Sequence, residues 1–233
     1  RPFGLTDGVR ENAVFNFFNA VYAWMCVGLA VTAVTGWAVS RDEAMTQAVS
    51  QPGVALLCMV GLFLFVGMFR SIALRVSSAV GTVIFLAFAA FLGVFLSSIF
   101  LVYKLPTIGG AFIMTAGTFG IMSVVGYITK RDLTGLGSYL YMAVIGAFLA
   151  LLVNLFLHST PMMWLLTYVI LFLFIGLTAY DTQQLKRFAY QSQDNHSIAS
   201  RMVIVGSLML YLDFINMFLS ILTIFGGGGG RRR

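Results

Sequence analysis

Long runs of hydrophobic residues follow one another along this chain, separated by short polar clusters. A helix needs about 20 mostly apolar residues to cross roughly 30 Å of hydrocarbon. Seven runs meet that need: Val14–Val39, Gly53–Phe69, Val76–Val102, Leu105–Ile128, Leu136–Leu157, Met162–Tyr180 and Met202–Phe225. Charged residues such as Arg10/Glu11, Arg41/Asp42/Glu43, Lys104 and Lys130/Arg131/Asp132 set their limits. Pro52 opens the second run, the shortest, and Pro161 opens the sixth, which is expected to continue as helix to about Phe188. The third and fourth runs are joined by so short a connection that a tight antiparallel hairpin is expected. The pattern predicts an all-α integral membrane protein. It divides into a cytoplasmic N-terminal segment (residues 1–13), a seven-span membrane domain (14–225) and a flexible Gly/Arg tail (226–233).

Composition narrows the class further. Of 233 residues, 60% are hydrophobic and 9% charged, where a soluble domain carries about 25% charged residues. Mean hydropathy is +0.95. These values exclude an ordinary soluble domain, a disordered chain and a nucleic-acid-binding module. The net charge of +6 therefore reports topology, because cytoplasmic loops concentrate Lys and Arg. Counting alternate segments puts nine basic residues on one side: Arg1, Arg10, Arg70, Arg75, Lys130, Arg131, Lys186, Arg187 and Arg201. The other side holds five: Arg41, Lys104 and Arg231–Arg233. The N-terminus is thus expected in the cytoplasm and, with seven spans, the C-terminus outside. Cys26 and Cys58 both lie in apolar runs without a CxxC or Cys/His cluster, which argues against a disulfide framework or a zinc site.

Charges at membrane depth are the informative residues. Asp7, Glu11, Asp42, Glu43, Asp132 and Asp194 lie outside the seven runs, which leaves Asp181 and Asp213. Asp213 follows Arg201 by twelve positions, roughly 18 Å along a helix and near mid-membrane. Asp181 lies toward the cytoplasmic end of the sixth span, at a compatible depth. A carboxylate in the bilayer costs several kcal/mol, so it faces the bundle interior and takes a partner. Two carboxyls facing each other on consecutive spans cannot easily both ionise; they share a proton and titrate as a unit. Such a pair is a natural pH sensor or cation ligand. The plainer alternative is a single buried Asp213 hydrogen-bonded to Tyr211 or Asn216. Arg75 either anchors in the headgroups or turns inward to pair with Asp181. Asn154, inside the fifth span, is expected to hydrogen-bond across helices.

Other chemistry finds little support. His158 is read as interfacial and His196 as part of a loop, and neither has a ligand partner at i+3 or i+4, so no metal site is expected. No serine sits in Gly-x-Ser-x-Gly, and no intramembrane histidine stands ready as a base. The seventh span has no lysine for a retinal Schiff base. No enzyme activity and no cofactor are expected.

Three segments resemble the Bax inhibitor-1 family, also called the transmembrane Bax inhibitor motif family, with its bacterial YccA- and YetJ-like members. Tyr211-Leu212-Asp213-Phe214-Ile215-Asn216 resembles the core of its last span. Ala179-Tyr180-Asp181-Thr182-Gln183-Gln184 resembles its sixth span, and Lys130-Arg131-Asp132-Leu133-Thr134 the loop before the fifth. The resemblance implies six spans wrapped around a central seventh, in a bacterial inner membrane. It also implies a pH-sensitive calcium leak, with Asp181 and Asp213 as the aspartate pair and Arg75 as the latch of the closed form. Some members carry a Glu within the second span; this chain has none. Calcium is then a transported ion, and the partners are the bilayer, calcium and protons. Two other readings use the same residues: a non-conducting regulator that binds a membrane protease or another membrane protein, and a proton-coupled transporter.

Overall fold

The computed structural model describes residues 7–192 and 195–227. Arg1, Asp194 and Arg231–Arg233, all named above for their charge, lie outside the described residues. Among those described, every regular element is helical. In chain order they are α1 (Asp7–Val39), α2 (Glu43–Ser50), α3 (Pro52–Arg75), α4 (Ser78–Phe95), a single 3₁₀ turn (Leu96–Ser98), α5 (Ile99–Val102), α6 (Leu105–Ile128), α7 (Thr134–Leu157), α8 (Thr160–Gln191) and α9 (His196–Gly227). Six stretches are long and apolar enough to cross a membrane: Glu11–Val39, Ser78–Val102, Leu105–Ile128, Thr134–Leu157, Thr160–Gln191 and Ser197–Gly227. The second expected span falls in α3, whose apolar part is the shorter Leu56–Phe69.

The chain forms two compact units. The first comprises Arg1–Lys104 and Arg187–Tyr211, the second Leu105–Lys186 and Leu212–Arg233. Helix α9 passes from one to the other after Tyr211.

In the first unit α1 lies along α4. Gly93 allows this, because a Cβ there would collide with the Thr35 hydroxyl and the Thr32 carbonyl. The Thr32 hydroxyl lies 3.0 Å from the Gly28 carbonyl and 2.9 Å from that of Ala89, and shares a 2.6 Å hydrogen bond with the Tyr211 hydroxyl. The fully buried Tyr211 ring meets Phe85 and Phe88 edge-on, at 5.6 and 6.3 Å. Ser207 donates to the Val21 carbonyl at 3.0 Å, a second tie between α9 and α1. Asp42 caps α2 by accepting from the Met45 N–H at 3.1 Å, the usual service of an aspartate at a helix start.

The second unit is closely packed at two glycines. A Cβ on Gly126 would strike the Ala179 carbonyl, and one on Gly137 the Tyr180 ring. These two positions bring α6 and α7 onto α8. Phe214 of α9 fills the space beside α6 against Phe112 and Phe119, at 5.2 and 5.6 Å. Helix α7 ends at His158, which takes a left-handed conformation with φ 51°. Asn154 secures that ending: its carbonyl accepts from the His158 N–H at 2.8 Å and its side-chain oxygen from the Ser159 N–H at 3.1 Å. The side-chain oxygen expected to bridge helices thus closes a helix end, where the last carbonyls and the first turn residues lack intrahelical partners.

Candidate functional site

Asp181 and Asp213 both belong to the second unit. Asp181 precedes the end of α8 at Gln191 by ten residues, roughly 15 Å at the helical rise. Asp213 lies near the middle of α9. Each is 3% exposed, and the two carboxyls lie close enough to act on each other electrostatically. Tyr141 of α7 donates its hydroxyl to Asp181 Oδ1 at 3.0 Å. Oδ2 of Asp213 is buried with no hydrogen-bond partner among the described residues. A buried acceptor left so costs about 1–3 kcal/mol. Among the described residues no group of three or more His, Cys, Asp or Glu gathers to hold a metal.

Tyr211 and Asn216, the neighbours named for Asp213 in the plainer alternative, direct their polar groups elsewhere. The Tyr211 hydroxyl is engaged with Thr32, and the Asn216 amide donates to the Leu212 carbonyl at 2.8 Å. Helical geometry explains the first, because residues two apart do not face each other. It explains the second through competition, since the helix's own i−4 carbonyl lies within reach of the amide.

The aspartate site is placed by the packing around α8. Thr178 and Thr182 donate their hydroxyls to carbonyls of their own helix, Phe174 and Thr178, both at 2.7 Å. The Tyr180 ring lies against Gly137 and meets the Tyr141 ring edge-on at 6.0 Å and 82°. One turn from Tyr180, the buried Gln183 grips the loop between α6 and α7. Its Nε2 donates to the Arg131 carbonyl at 2.8 Å, and its Oε1 accepts from the Leu133 N–H at 2.9 Å. Lys186 donates to the Tyr127 carbonyl at 2.8 Å and lies over the Tyr127 ring at 4.4 Å. Asp132 accepts from the Thr134 N–H and hydroxyl, at 2.9 and 2.5 Å, and so starts α7.

The family model described as "Inhibitor of apoptosis-promoting Bax1" matches residues 14–230. The chain belongs to the Bax inhibitor-1 family. It is 43% identical to the inner membrane protein YbhL of Escherichia coli over 213 residues, covering 90% of this chain and 91% of that protein. It is 39% identical to an uncharacterized protein of Borreliella burgdorferi over 224 residues, 95% of this chain and 97% of that one. An uncharacterized membrane protein of Streptococcus pyogenes is 34% identical over 217 residues. With family and span pattern together, the chain is an integral, multi-pass membrane protein.

Within this Bax inhibitor-1 member, the three segments that carried the resemblance meet in one place for a physical reason. The Lys130–Thr134 loop is bound to α8 by Gln183, and Asp181 of the same helix faces Asp213 of the last. Arg75 stands exposed in the last turn of α3, in the first unit. Two members of the site escaped the sequence. Tyr141 and Gln183 carry no charge, so neither stands out in an apolar run; a polar side chain on the face shared with Asp181's partner helix is the only signal either one gives. His196, expected in a loop, is the first residue of α9.

Proposed function

We propose that this Bax inhibitor-1 protein is a pH-sensitive leak channel for calcium and related cations, without enzyme activity, in a bacterial inner membrane. The buried Asp181–Asp213 pair carries this reading: two interacting carboxyls in apolar helices, one with an unpartnered oxygen. One proton shared between them is the state of lowest charge repulsion. At higher pH that proton leaves, the ionised Asp181 pairs with Arg75, and the cytoplasmic side closes. As pH falls the carboxyls take up protons, the pair with Arg75 is lost, and flux rises. The inner membrane is supported by the likeness to YbhL, an inner membrane protein of Escherichia coli, and the cytoplasmic N-terminus by the Lys/Arg count. The α3 helix serves as the second of seven spans, with the last span at the centre. In support, that last span is 56% buried, against 33% or less in each of the other five apolar spans.

The test is calcium flux into dye-loaded proteoliposomes at about pH 6 and about pH 8, for the wild type and for Asp181→Asn/Asp213→Asn. Flux that rises with acid in the wild type and loses its pH dependence in the double variant is the expected result. Unchanged pH-dependent flux in the double variant sinks the carboxylate sensor. No flux at either pH from folded protein favours the second reading, a regulator that docks another membrane protein. The observation behind that reading is on α6, where Gly109, Gly110, Gly117 and Gly120 have open space where a side chain would stand. Small faces of this kind let a partner helix approach closely.

A further inference from the structure

The two carboxyls of the site are not equivalent. Asp181 receives a hydrogen bond from the Tyr141 hydroxyl at 3.0 Å. Asp213 receives none at Oδ2, which is buried and unpartnered among the described residues. A hydrogen bond to an ionised acceptor is roughly twice as strong as one between neutral groups. The phenol therefore favours a negative charge on Asp181 over one on Asp213. A proton on Asp213, in turn, removes charge from an oxygen that no donor among the described residues stabilises.

Tyr141 is held for this task. Its ring meets Tyr180 edge-on at 6.0 Å, and Tyr180 itself lies against Gly137, one turn before Tyr141 on α7, where a Cβ would exclude it. The titratable groups acting on the hydroxyl are Asp181 of α8, Asp213 of α9 and Tyr180 of α8. We propose that Tyr141 is a positioning residue of the aspartate pair: its hydroxyl fixes the negative charge on Asp181 and leaves the shared proton to Asp213. This rests on the proton-sharing pair of the leak reading, and adds which carboxyl holds the proton and what decides it.

Infrared spectroscopy on the full chain in lipid nanodiscs tests this without relying on flux. The C=O band of a protonated carboxyl is followed through a pH titration. Asp213→Asn is expected to remove the band of the shared proton, and Asp181→Asn to keep it. Tyr141→Phe takes away the bond that favours charge on Asp181, so Asp181 takes up the pair's second proton more readily. The midpoint of that second, lower-pH step is expected to move to higher pH, by about one unit for one hydrogen bond lost. Replacing Tyr141 with 3-fluorotyrosine keeps the shape and strengthens the donor, and is expected to move the midpoint the other way. Tyr139→Phe, which removes an exposed hydroxyl two residues away, is expected to leave it in place. A band that survives Asp213→Asn, or a midpoint indifferent to both changes at Tyr141, overturns the assignment. A wild type that shows the expected band and shifts but no calcium flux defeats the leak reading alone.

Discussion

Tyr211 and Asp213 stand two residues apart on one helix and meet opposite circumstances. The Tyr211 hydroxyl is fully buried and shares a short bond with Thr32, while Asp213 turns an unpartnered oxygen into the interior. Losing the tyrosine hydroxyl is therefore a bounded cost. In Tyr211→Phe the Thr32 hydroxyl still has the Gly28 and Ala89 carbonyls within reach, so no orphan donor is left. The expected destabilisation is about 1 kcal/mol, read as a small drop in thermal unfolding temperature in detergent; a loss above about 3 kcal/mol would mean that Tyr211 supports more than this bond. The sequence exposed the aspartates because a charge in an apolar run is conspicuous. It hid Tyr141 and Gln183 because their partners are on other helices, and spacing along one helix says nothing of what faces it. Asn154 was conspicuous too, but its side chain serves the turn at Ser159, a choice that depends on where α7 stops.

At the scale of elements, glycines separate into those that make contact and those that do not. Gly126 lets α6 approach the α8 backbone at Ala179, whereas Gly117 and Gly120 of the same helix face open space. Gly126→Ala puts a methyl into a backbone carbonyl, and overpacking of this kind costs about 1–3 kcal/mol. Gly117→Ala meets nothing and is expected to leave stability unchanged or slightly raised. Thermal unfolding of the two variants in one detergent checks the contrast; equal effects would show that the α6–α8 approach is not what Gly126 is for. The runs of apolar residues marked α6 residue for residue, because Lys104 and the Lys130 cluster bracket it. Elsewhere hydropathy marks where a helix leaves apolar surroundings, and the helix itself goes on: α8 continues through polar residues to Gln191 and α9 begins at His196. The eight-residue α2 was too short to register, and the 3₁₀ turn at Leu96–Ser98 interrupts the third run at two serines, too small a polar break to end an apolar run.

For the whole molecule, the number of crossings decides on which side the chain ends. Six spans are long and apolar enough by themselves, and α3 is the element on which parity turns. Its 24 residues measure about 36 Å, enough to cross a hydrocarbon core of roughly 30 Å, although its apolar part is shorter. Charge weighs in favour of a crossing. With seven spans the basic residues divide nine against five; with α3 left out of the membrane they divide six against eight, almost without bias. Sidedness follows such a bias in short loops, so the uneven division is the one a membrane would enforce. Arg231–Arg233 oppose it, because an odd count leaves them outside. Alkaline phosphatase or green fluorescent protein fused after Arg233 reads the parity once green fluorescent protein fused ahead of Arg1 has placed the N-terminus inside, since the first is active only outside the cytoplasm and the second fluoresces only within it. Active phosphatase and a dark fluorescent fusion are expected. With the N-terminus inside, the reverse would mean that α3 does not cross, which removes the ground for the proposed latch at Arg75 and leaves the aspartate pair intact.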